Sequence, residues 1–128
     1  MGKFILWLSA CVFIGYGLVS LLSPTVPAGF AGLILGNGDA YAEISAMYGG
    51  LQTGLGLYCL LAALRPEFYR AGLALLLIGI GSLAIARSIG ALTTAEPLSL
   101  YTWGALGYEY MTALIAALAL RKASTHSN

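Results

Sequence analysis

Three residues of this chain could do ionic chemistry in an apolar setting: Glu43, Arg87 and Glu109. Each lies inside a long apolar run or at its edge. An ion at the centre of a bilayer costs at least ~2.5–3.5 kcal/mol, so each needs a partner or a purpose. Coulomb attraction favours the ionised form of whichever Glu pairs with Arg87. The other carboxyl must then share a proton, or the site takes a small cation or the polar head of a ligand. The competing reading is structural, a polar cluster that locks helices together. A second set lies on the stretch "EISAMYGGLQTGLG", where Ser45, Tyr48, Gly49, Gln52 and Gly56 share a helical face with Cys59 below them. An amide at Gln52 needs a hydrogen-bond partner in lipid. Either Gly49 and Gly56 seat a helix that Gln52 bonds across, or Tyr48 and Gln52 line a pocket for a lipidic or quinone-like molecule.

Other chemistries find little support. The single His126 sits in a polar tail, so no Ser/His/Asp arrangement can form, and no nucleotide loop is visible. Cys11 and Cys59 form no CxxC or Cys/His cluster. Zinc, haem and iron–sulfur sites need more ligands than this. Both thiols are expected to be buried, unpaired and apolar in behaviour. No enzyme and no cofactor are expected.

The medium follows from composition. The chain has 128 residues, 59% hydrophobic and 9% charged, against roughly 25% charged for a soluble domain. It is expected to be an all-α membrane protein in one domain, 1–128. The formal net charge of +1 leaves no basic face for nucleic acid. "LSAC" at 8–11 looks like a lipoprotein box, but the apolar run continues to Leu22, so a permanent helix is expected.

Four runs meet the length of about 20 residues that a span needs: 4–22, 41–64, 69–92 and 103–120, with a polar tail at 121–128. A four-helix bundle is the expected architecture. "RPEFYR" makes a tight turn between spans two and three. "TTAEPLSLYTW" reads as a plain loop between spans three and four. Between spans one and two, a short helix is expected at Ala28 to Leu35, lying in the interface or dipping into the bundle.

Of the six Lys and Arg residues, Arg87 is within a span. The other five, Lys3, Arg65, Arg70, Arg121 and Lys122, fall on one side, and the loops of the other side hold none. That bias places both termini in the cytoplasm. Glu43, Arg87 and Glu109 then lie near the opposite face, roughly 3–9 Å below it at ~1.5 Å per residue. Small residues share their faces: Ala46, Met47, Gly50 and Gly54 with Glu43; Thr112, Ala113, Ala116 and Ala117 with Glu109; Ala84, Gly90 and Ala91 with Arg87. Small faces let helices approach, so all three charges are expected to point inward. Gly79 and Gly81 are read as close packing.

At these residues the chain resembles a bacterial family, the domain of unknown function 4345 family. The resemblance rests on the Glu43-to-Gly56 block, on "ARSIG" from Ala86, on a Glu early in span four, and on "LLSP" at 21–24. It covers nearly the whole chain. It implies a small four-helix protein of the bacterial inner membrane, similar in architecture to the DoxX-like group, and no established activity. Relatives often carry a basic residue two places after the Glu; here Ser45 stands there. Some DoxX-like relatives are linked to quinone or sulfur redox chemistry.

Three function classes follow. The first is a non-catalytic module that binds a partner protein or a small apolar molecule near the Glu/Arg/Glu cluster. The second is a proton-coupled transporter; the third is an accessory subunit of a membrane redox enzyme. Glycine faces on several spans leave homo-oligomerisation open.

Overall fold

A computed structural model describes residues 1–125. Among the described residues there are helices and no strands. Four helices are long and apolar enough to cross a membrane: α1 (Gly2–Leu22), α3 (Gly38–Leu64), α4 (Pro66–Thr93) and α5 (Leu100–Thr125). The short helix α2 (Thr25–Ala31) lies between α1 and α3.

The helices outrun the apolar runs where their ends are well made. Asn37 caps α3, its side-chain oxygen accepting from the Ala40 amide at 3.0 Å, and Asp39 sits in the first turn. Both groups satisfy or balance the amides exposed at a helix start. Pro66 opens α4 at a position where its missing N–H costs nothing. α5 begins before the expected span and continues through "RKAST", so the expected tail from 121 is helical as far as Thr125. Ala, Arg and Lys are strong helix formers, and neither Gly nor Pro interrupts them. His126 lies outside the described residues.

α2 corrects the expected helix at 28–35. It starts after Pro24 and stops at Gly32, the one residue with positive φ among the described residues, at 68°. There the Leu33 amide donates to the Ala28 carbonyl at 2.8 Å and the Gly32 amide to Gly29 at 3.3 Å. That pair of bonds closes a helix end and needs a left-handed residue at its centre.

Two π-helical turns interrupt the spans, at Ser45–Leu51 in α3 and at Leu76–Ile80 in α4. Nothing in the hydropathy pattern announces them.

The chain divides into two compact units. The first holds Met1–Leu6 and the residues from Ala62 onward. In it α4 and α5 run antiparallel: Arg70 meets Ser124, and a Cβ placed on Gly81 would lie 3.7 Å from that of Ala113. Leu73, Leu76, Ile80 and Ala84 are buried on α4, and Ala113, Ala116 and Ala119 on α5. Ile5 and Leu6 are buried with them.

The second unit is Trp7–Leu61. There α1 and α3 run antiparallel along a seam of glycines. A Cβ placed on Gly56 would fall 2.7 Å from the Ile14 amide nitrogen and 3.1 Å from the Ala10 carbonyl oxygen. One on Gly17 would fall 2.9 Å from the Gly49 carbonyl oxygen, and one on Gly49 would strike the Leu21 side chain. The two backbones come together because at each of these points at least one helix carries no side chain.

Candidate functional site: an ion pair and a hydroxyl pair on α4 and α5

The short link from Thr94 to Ser99 turns α4 back into α5, so residues at similar distances from it stand side by side. Arg87 and Glu109 do so. The Arg87 Nε donates to Glu109 Oε1 at 3.0 Å and to Oε2 at 3.1 Å, and Nη2 donates to Oε1 at 2.8 Å. This is a fork-shaped, charge-assisted contact, stronger and more directional than a single hydrogen bond. The Glu109 side chain is 5% exposed and that of Arg87 26%. Glu109 is buried beside Thr112, Ala113 and Ala116, the small face expected for it. Ala84 is buried on the Arg87 side, whereas Gly90 is exposed.

One residue further along each helix, Ser88 Oγ and the Tyr110 hydroxyl lie 2.8 Å apart. Ser88 donates to the Ala84 carbonyl at 2.8 Å, which leaves its oxygen to accept from Tyr110. Tyr110 is exposed. The sequence reasoning missed this hydroxyl pair. Adjacency gave no signal for it: in an antiparallel pair the residues after Arg87 and Glu109 move apart along the axis, and the reach of the Tyr110 side chain closes the gap.

Within this unit the pair is neutral. One guanidinium meets one carboxylate, and no further charge is required for balance.

Glu43 belongs to the other unit. It is exposed, and it forms no ion pair within that unit. Ala46, Met47, Gly50 and Gly54, which share its face, are exposed too. This corrects the expectation that the Glu43 face points inward. Both faces of α3 carry small residues, so size alone could not choose between them. Gly17 and Ala10 on α1 settle it in favour of the Gly49 and Gly56 face, where Cys59 is also buried. Gly54 has nothing within 4 Å of a built Cβ, and the nearest atom to one at Gly50 belongs to its own helix. Gly79 likewise meets only Leu75 of its own helix, whereas Gly81 packs on Ala113.

Tyr48 and Gln52 lie on the packed face and are half-buried, and neither side chain forms a hydrogen bond among the described residues. Thr53 Oγ1, against Gly17, and Ser9 Oγ are buried with no hydrogen-bond partner. Both cysteines are free thiols, Cys59 buried and Cys11 exposed. The exposure of Cys11 corrects the expectation that both are buried: it lies on the side of α1 away from the glycine seam. No group of three or more metal-ligating side chains occurs among the described residues.

A family model described as Domain of unknown function (DUF4345) matches residues 1–120. No curated protein and no solved structure matches the chain.

Proposed function

We propose a function from the premise that this chain belongs to the DUF4345 family: it is a non-catalytic membrane module that binds a small, apolar, quinone-like molecule beside Arg87 and Glu109. The observation that carries this reading is the neutral Arg87–Glu109 fork with the exposed Ser88–Tyr110 hydroxyl pair next to it. A charge-balanced site favours a neutral polar head over a cation. The Arg87 guanidinium donates, while the Tyr110 oxygen, whose proton goes to Ser88, accepts; together they suit a hydroxyl head that does both, and the flanking exposed side chains Ile89, Tyr110 and Met111 suit an apolar body. A partner membrane helix that places a hydroxyl side chain there would use the same two groups.

In this reading the protein is a multi-pass component of the bacterial inner membrane with both termini cytoplasmic, because five basic residues gather at one end of the spans. The exposed Gly50 and Gly54 face of α3 then supports self-association.

Native mass spectrometry of the detergent-solubilised chain with a short-tailed benzoquinol tests this. One adduct per chain is expected, with occupancy strongly reduced in Tyr110→Phe and abolished in Arg87→Gln. No adduct on the unaltered chain, or equal occupancy in folded Tyr110→Phe and Arg87→Gln, overturns it.

A further inference from the structure

The other end of the same unit carries a different chemistry. Gly2 packs against the Tyr69 side chain and Ala119, where a Cβ would have no room. That contact brings the start of α1 against the start of α4 and the end of α5. Lys3 follows Gly2, Arg70 follows Tyr69, and Arg121 and Lys122 lie just beyond Ala119. All four are exposed, and so is Arg65 at the start of α4. Five cations therefore ring one end of the unit. Glu67 is the one carboxylate among the described residues there, and it takes Arg65 at 3.5 Å, with both side chains more than half exposed.

Arg70 is held in place. Its Nη2 donates to Ser124 Oγ at 3.1 Å, and Ser124 donates in turn to the Leu120 carbonyl at 3.1 Å. A guanidinium fixed by a neutral hydroxyl keeps its full charge. The position of the ring identifies its partner. Phe4, next to Lys3, is 65% exposed, and Leu64, next to Arg65, is 60% exposed. Apolar surface thus ends where the charges begin, which is the depth of lipid headgroups. At ~1.5 Å per residue α4 and α5 are each about 40 Å long, some 10 Å more than the ~30 Å hydrocarbon core. The excess carries these side chains to phosphate level.

We infer that this basic end, built from Lys3, Arg65, Arg70, Arg121 and Lys122, seats the headgroup of an anionic phospholipid, with the acyl chains along Phe4 and Leu64. Clustered Lys and Arg beside a span attract anionic lipid with a roughly fivefold gain for each residue near the surface. The site is independent of the one at Arg87 and needs no quinone-like ligand.

The test is native mass spectrometry of the full chain with phosphatidylglycerol, phosphatidylcholine or inorganic phosphate as probe. Phosphatidylglycerol is expected to bind at least tenfold more tightly than phosphatidylcholine. Arg70→Gln with Arg121→Gln should remove that preference, and Arg70→Lys with Arg121→Lys should keep most of it. The Lys variant and the two-lipid comparison on the unaltered chain decide the matter if the Gln variant does not fold. Equal binding of the two lipids overturns the proposal, as does a preference unchanged in a folded Gln variant. So does displacement of phosphatidylglycerol by an equal concentration of inorganic phosphate, which would mark a free-anion site.

Discussion

The two helix pairs of this chain are joined by opposite means. α4 and α5 meet through polar groups that satisfy one another: a forked ion pair, a hydroxyl pair, and a guanidinium on a serine at the far end. α1 and α3 meet through absence, with glycines that let the backbones touch and with a buried Thr53 hydroxyl oxygen that finds no partner. A polar clasp depends on both its members, and losing one leaves the other stranded. A glycine seam depends on nothing being added. The first pair should therefore be hurt most by removing atoms, and the second by inserting them.

The largest expected effect is Glu109→Ala. It leaves the Arg87 guanidinium without its carboxylate, at a cost of about 3–5 kcal/mol. Replacing both residues by apolar ones, Arg87→Met with Glu109→Leu, should recover most of that loss. Unfolding in mixed micelles followed by circular dichroism measures both, and a double variant as unstable as the single one would refute the clasp.

Next comes Gly56→Ala. The added methyl must push against the Ile14 nitrogen and the Ala10 carbonyl, with an overpacking cost of about 1–3 kcal/mol. An unchanged unfolding midpoint would show that α1 and α3 do not depend on close backbone approach.

The smallest effect is expected at Gly54→Ala, two residues away on the exposed face. With nothing within 4 Å, the change should be neutral or stabilising by up to about 1 kcal/mol through helix propensity. The same unfolding assay reads it. A loss comparable to that at Gly56 would mean that this face is covered by another chain.

The contrast also explains what the sequence disclosed. The α4–α5 clasp was legible because a short link between two long apolar runs fixes which residues stand at equal distance from the turn. Counting in from the span ends put Arg87 and Glu109 at one depth together with Glu43, and left open which Glu pairs with Arg87. The inward face of α3 was not legible, because Gly50 and Gly54 on one side look like Gly49 and Gly56 on the other. Only the reciprocal residues Ala10, Ile14 and Gly17 on α1 separate them, and their register cannot be read from α3 alone. α2 was misplaced because Pro24 opens a helix there rather than only closing the one before it. Four spans were plain from run length, whereas their capped ends depended on single residues such as Asn37 and Pro66.

The π turn at Leu76–Ile80 bears on the clasp from a distance. A wider circuit uses one residue more than an α-helical one. Every residue after it is turned by about 100° from where uninterrupted α-helical counting would put it. The half of α4 that carries Arg70 and the half that carries Arg87 are therefore out of phase with each other. Uninterrupted counting would put Leu73 and Arg87 within about 40° of each other, and the extra residue between them turns them about 140° apart. The aim of the guanidinium is thus set partly by a turn of leucine, isoleucine and glycine that carries no polar side chain.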